Sequence, residues 1–131
     1  MSNFDISGAV VLLVDDDQFL RSMYVKKFEA RGAHVETAGT AEEALGKLRA
    51  GLKPAIITFD IVMPGIDGCG FLETLKKENL AQDVVKVALS NQSSSEEMRR
   101  VTDLGAVGHI TKANSTPSEI VDKVVELASN R

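Results

Sequence analysis

The chain predicts an α/β fold, a three-layer (βα)5 sandwich around a five-stranded parallel sheet. Three observations predict it. Short, valine-rich apolar runs recur along the 131 residues, segments of helical apolar period fill the gaps between them, and every connection is short. Parallel strands need crossovers, and crossovers of one hand cover both faces of a sheet with helices.

The first run, Val10 to Val14, is too short for a helix and apolar at every position, as in a strand covered on both faces. Leu20, Met23, Tyr24 and Phe28 then follow a helical period that Gly32 closes. "AHVETA", Ala33 to Ala38, alternates poorly and reads as an edge strand. Thr40 to Glu43, "TAEE", is a capping box ahead of Ala44, Leu45 and Leu48 on one helical face. Ala55 to Phe59 is the third strand, and "GCGFLETLKK" gives the third helix. Val84 to Leu89 is the fourth strand. Ser93 to Ser95 with Glu96 and Glu97 open a fourth helix ending near Gly105, and the serines read as caps. Ala106 to Thr111 is the last strand. Thr116, Pro117 and Glu119 then supply a cap, a first-turn proline and a box glutamate before Ile120, Val121, Val124 and Val125.

The length suits one domain, residues 1–131 with a core from about 9 to 128. Apolar residues make up 44% and charged residues 26%, which excludes a disordered or fibrous chain. The net charge of -4 comes without a Lys/Arg block, which argues against a nucleic-acid or membrane surface and fits a protein partner or a bound cation. No signal-peptide pattern or long apolar run is present, so a cytoplasmic location is expected. Cys69 is the sole cysteine and reads as a small packing residue. His34 reads as a solvent-side strand residue.

Ligands of an open parallel sheet bind outside the carboxyl ends of its strands. Strand one ends at Asp15 and Asp16, strand three at Asp60, strand four at Ser90 and strand five at Lys112. Two carboxylates about 4 Å apart repel by roughly 4 kcal/mol at an effective dielectric near 20, so three mutual pairs would cost up to about 12. Such a cluster needs cations. Lys112 supplies one charge and a hard divalent ion two more, and oxygen ligands without His or Cys favour Mg²⁺. Asp17 stands where the first helix starts and reads as a charge favouring the helix dipole. A carboxylate, a hydroxyl, a lysine and a metal together suit phosphoryl transfer, with Asp60 as nucleophile and Ser90 and Lys112 each gripping a phosphoryl oxygen. "MPG" at Met63 to Gly65 turns the chain away and leaves Asp60 open.

In order, spacing and strand position, "VLLVDDD", "DIVMPGIDG", "ALSN" and "GAVGHITK" make the chain resemble the receiver domain of two-component response regulators, from about Val10 to Ala128. The resemblance implies strand order 2-1-3-4-5, the flavodoxin-like arrangement, and a domain that is a phosphoacceptor, not an enzyme in its own right. It implies that Asp60 accepts a phosphoryl group from a sensor histidine kinase or histidine phosphotransfer protein. Mg²⁺ would be bound by Asp16, Asp60 and the backbone carbonyl of Val62, with Asp15 acting directly or through water. Ser90 matches the switch hydroxyl and Lys112 the family's lysine. The added charge would switch the face of helix four, strand five and helix five, where a downstream protein reads it, and the acyl phosphate would then hydrolyse.

Two positions depart from the pattern, and two more are variable in it. His109 replaces the usual Tyr or Phe of the switch, leaving an altered switch, a pH-sensitive one and an ordinary surface histidine all open. Ala113 replaces a proline that follows a cis bond, and that bond before a non-proline residue costs about 2.5–4 kcal/mol, which leaves the last loop's geometry open. Val62 and Gln92 occupy variable positions that tune the lifetime of the phosphate. Rival readings are a receiver-like binding module that is not phosphorylated, and a haloacid-dehalogenase-like phosphatase using Asp15 as nucleophile and Asp17 as acid. "GCG" at Gly68 to Gly70 is a poor nucleotide motif, since it follows no strand directly. Three residues follow Ala128, so output is expected through contacts with another protein. A phosphorylation-dependent dimer through the last helix is left open.

Overall fold

A computed structural model describes residues 6–91, 94–113 and 115–130. Strands and helices alternate throughout: β1 (Val10–Val14), α1 (Gln18–Ala30), β2 (His34–Ala38), α2 (Ala41–Arg49), β3 (Ile56–Asp60), α3 (Gly68–Lys77), β4 (Val85–Ser90), α4 (Ser95–Asp103), β5 (Gly108–Thr111) and α5 (Pro117–Ser129). All neighbouring strands are parallel, in the order β2-β1-β3-β4-β5. The two-residue period of the strands divides the core in two. Leu12, Val14, Ile57, Phe59 and Ala88 face α2, α3 and α4, while Val11, Leu13, Ile56, Val87 and Leu89 face α1 and α5.

The helix ends are built largely as the sequence dictates. Ser94 and Thr116 each form a complete capping box, with Glu97 and Glu119 as the reciprocal partners. At α2 the box is only half formed. Thr40 accepts from Glu43 N, but the Glu43 carboxylate reaches past the cap and accepts from Gly39 N at 2.9 Å. Asp17 is the N-cap of α1 itself and accepts from Leu20 N at 3.0 Å. Gly32 has φ +88, the left-handed turn that ends α1, and Gly65 has φ +76 in the sharp turn after β3.

β5 begins at Gly108, two residues later than its apolar run suggests. Ala106 N donates to Val101 O and so closes α4, and only Val107 N reaches the sheet, at Lys86 O. β2 pairs with β1 alone and is an edge strand, with the His34 side chain exposed beside Glu36. Cys69 is buried in the core between the sheet and α3. No cis peptide is present among the described residues, so the Lys112–Ala113 bond is trans. Gln92 and Ser93 lie outside the described residues.

Candidate functional site

Four strands end at one rim, and each delivers a polar group to it. Asp15 follows β1 and is fully buried, with its amide donating to Ala38 O at 3.0 Å. Its position is fixed from several sides. The Arg21 guanidinium donates to its carbonyl at 2.6 Å, Asp17 N donates to Oδ1 at 2.9 Å, and Lys112 Nζ donates to Oδ2 at 2.9 Å. Asp60 is the last residue of β3, only 6% exposed, and Lys112 Nζ sits 2.7 Å from its Oδ1. The single ammonium thus bridges two carboxylates from different strands.

Lys112 is held in turn by its own amide, which donates to Ser90 O at 2.7 Å. Behind Asp60, Gly68 lets α3 press directly on β3. A Cβ at Gly68 would stand 2.7 Å from both Asp60 O and Ile61 Cα, so only glycine fits.

Asp16 is exposed, and Asp15, Asp16 and Asp60 each offer a carboxylate oxygen within 4.8 Å of the others. The donors are all oxygens, which suits a hard divalent cation. Burial is the main force on Asp60, and with the neighbouring Asp15 carboxyl it pushes the pKa up to about 7 against the pull of Lys112. Burial works to lower the Lys112 pKa, but the Asp60 charge and the hydrogen bonds that Lys112 donates to both aspartates outweigh it and raise it. The site therefore has more negative charge than one lysine comfortably balances. That imbalance favours a bound cation.

A cleft of about 370 Å³ opens over these groups, lined by Asp16, Asp17, Leu20, Asp60, Val62, Ser90, Asn91 and Lys112. Ser90 is almost fully buried, and its Oγ lies 2.9 Å from His109 Nε2. A larger cavity of about 960 Å³ lies at the opposite edge of the sheet, between α3, the start of β4 and the start of β5. Its size does not make it the site, because the convergent charged groups are at the other rim.

The structure brings together Asp15, Asp16, Asp60, Ser90 and Lys112, with Val62 on the cleft wall. It does not support the phosphatase alternative. Asp15 has no exposed surface, and the Asp17 carboxylate caps α1. Asn91, the clamp from Arg21 and the Ser90–His109 contact were not foreseen from the sequence. Asn91 follows a strand-end residue and could have been found by the same rule, whereas Arg21 and His109 depend on tertiary placement.

A parallel sheet in this order, with acids, a hydroxyl and a lysine at its carboxyl rim, defines a phosphoacceptor signalling domain. The family model for the response regulator receiver domain matches residues 11–125, and the chain belongs to that family. It is 37% identical over 123 residues to a protein-glutamate methylesterase/protein-glutamine glutaminase of Bacillus licheniformis, covering 89% of this chain and 33% of that protein. It is 30% identical over 114 residues to the phosphate regulon transcriptional regulatory protein PhoB of Escherichia coli, covering 87% of this chain and 49% of that one. The chain thus spans between a third and a half of these relatives, and in the methylesterase the match is to the receiver part alone. The chemotaxis response regulator CheY4 of Vibrio cholerae superposes with a TM-score of 0.82 at 26% identity, covering 92% of this chain and 99% of that one. Receiver domains bind Mg²⁺ at an acidic pocket and interact with histidine kinases and downstream effectors. No described helix is long and apolar enough to cross a membrane.

Proposed function

We propose that residues 1–131 form one receiver domain in which Asp60 is the phosphoacceptor of a two-component phosphorelay. The observation that carries the reading is the Lys112 ammonium, 2.9 Å from Asp15 and 2.7 Å from Asp60, beside the exposed Asp16 carboxylate. Asp60 is the one of these acids that both lines the cleft and ends a central strand. Its carboxylate oxygen attacks the phosphorus of a phosphohistidine as the phosphorus–nitrogen bond breaks. Lys112 and the Ser90 hydroxyl each hold a phosphoryl oxygen, so charge is stabilised by groups already in place.

Asp15, Asp16, Asp60 and the Val62 carbonyl would hold Mg²⁺, which supplies countercharge to the phosphoryl oxygens. The buried Asp15 keeps Lys112 oriented, and the exposed Asp16 faces the entry. Ser90 and His109 couple the site to the face of α4, β5 and α5, where a downstream protein binds. The phosphoryl donor is a histidine kinase or a histidine phosphotransfer protein.

The test is incubation with a small acyl phosphate or phosphoramidate and Mg²⁺, followed by intact-mass analysis. One acid- and base-labile phosphate is expected, absent in Asp60→Asn. Retention of the label in that variant would remove Asp60 from the role.

A further inference from the structure

Ser90 carries one hydroxyl proton, and the site offers it two destinations. Its Oγ is nearly buried and lies 2.9 Å from His109 Nε2, and no other partner for the side chain is found among the described residues. A buried hydroxyl donates where an acceptor exists, so whenever His109 Nε2 is unprotonated Ser90 donates to it. A phosphoryl oxygen can only accept. Ser90 cannot hold one while its proton is on the imidazole side.

We propose that His109 is a positioning residue that directs the Ser90 hydroxyl, with its Nε2 deciding whether the proton points at the imidazole or at the phosphoryl group. The inference rests on the reading that Ser90 donates to a phosphoryl oxygen. When Nε2 carries a hydrogen, in the other neutral tautomer or in the imidazolium, it donates to Ser90 Oγ. The hydroxyl proton is then released toward the cleft. A phenyl ring has no atom that exchanges the donor and acceptor roles, and a phenol exchanges them only by rotating its one hydroxyl proton, whereas the imidazole ties the exchange to its tautomer and protonation state.

The surroundings leave the imidazole room to respond. His109 pairs in register with Ala88 of β4, on the sheet face that packs against α4, and the charge of Glu97 on α4 acts on it. On β4 the facing polar group is the Ser90 hydroxyl, which does not titrate. α5 packs across the sheet, where Ile110 points. Burial lowers the His109 pKa, and the Glu97 charge partly offsets that, so the shift favours the neutral imidazole, in which either ring nitrogen can carry the hydrogen.

Binding at the two sites must then be reciprocal. Nitrogen-resolved NMR of the His109 ring in the full chain, with and without Mg²⁺ and beryllofluoride, reads the tautomer directly. The free form should show a bare Nε2. The loaded form should show a protonated Nε2 and a His109 titration moved upward by roughly 0.5–1 pH unit. His109→Gln, whose amide can donate to Ser90 but cannot titrate, should retain loading and lose this component of its pH profile, while His109→Phe should lose the hydrogen bond altogether.

Ser90→Ala separates the two readings. If it weakens beryllofluoride binding but the wild-type imidazole signals do not respond to loading, the role of His109 is refuted and that of Ser90 stands. If Ser90→Ala leaves binding unchanged, the Ser90 reading fails and the inference falls with it.

Discussion

Replacing Asp60 by Asn should make the chain more stable in chelator at about pH 8, although it removes a hydrogen bond to Lys112. Burial, followed by Asp15, raises the Asp60 pKa from 3.8 to about 7. The folded value lies above the unfolded one, so the folded chain holds the proton more tightly. The stabilisation this gives is fully present below about pH 4 and is lost as the pH rises through about 7. About three decades of proton affinity, at about 1.4 kcal/mol each, place the loss near 4 kcal/mol. Asn carries no charge and escapes that loss. Part of the gain is offset by the weaker contact with Lys112, now 2.7 Å from an amide in place of a carboxylate.

Other groups titrate nearby but do not obscure the comparison. Glu36, Glu78 and Glu119 have pKa values lowered first by hydrogen bonds from His34, Arg49 and Thr116 respectively, so their stabilisation is lost as the pH falls toward and below about 4.5. His109, lowered by burial, adds stability as the pH rises through its own range, in the sense opposite to Asp60. Both chains contain these groups, so the difference between them isolates Asp60. Urea denaturation followed by circular dichroism in EDTA, from about pH 5 to about pH 8, should show curves that lie closest at the acid end and separate further toward the alkaline end. Added Mg²⁺ should narrow the gap, because the ion stabilises the chain that binds it. A variant no more stable than wild type at about pH 8, or a gap indifferent to pH, would refute the electrostatic account of the site.

Lys112→Met should destabilise the chain by about 3–5 kcal/mol in chelator at about pH 8, since Asp15 and Asp60 lose their shared partner. The same denaturation series should show the deficit shrinking near about pH 5, where Asp60 takes up its proton, and in Mg²⁺. Gly68→Ala should cost about 1–3 kcal/mol and slow phosphorylation, because the new Cβ meets backbone atoms of Asp60 and Ile61 that cannot yield. The three atoms nearest a Cβ at Gly108 all belong to the Leu127 side chain, which can rotate, so Gly108→Ala should cost less. Thr58 is fully buried on the middle strand and its Oγ1 has no partner among the described residues. Thr58→Val should therefore raise stability by about 1 kcal/mol or more in thermal or urea unfolding.

The sequence made the acidic rim readable because chemistry and fold announce themselves at the same positions. An apolar strand buried on both faces cannot end in Asp15 or Asp60 without a reason, and the parallel arrangement puts such ends on one edge. The capping boxes at Ser94 and Thr116 were equally local, since every atom they use lies within one helical turn. The start of β5 was not readable. Ala106 and Val107 are as apolar as a strand requires, and only the end of α4 decides that Ala106 N goes to Val101 O. The same is true of Glu43, whose carboxylate had two amides within reach and took that of Gly39.

The Ser90–His109 contact marks where local reading stops. Nothing within the β5 sequence says which of His109 and Ile110 faces α4 and which faces α5. The register does, by pairing Ala88 with His109 and Ser90 with Thr111. A slip of one residue would exchange those faces and present Ile110 to Ser90. The identity of the residue at 109 is thus a sequence fact, but its power over the Ser90 proton comes from a pairing between segments nineteen residues apart. A change in the length of the α4–β5 connection that slipped this register should therefore abolish the His109 response and, because Lys112 N donates to Ser90 O in the same register, also draw Lys112 away from Asp15 and Asp60.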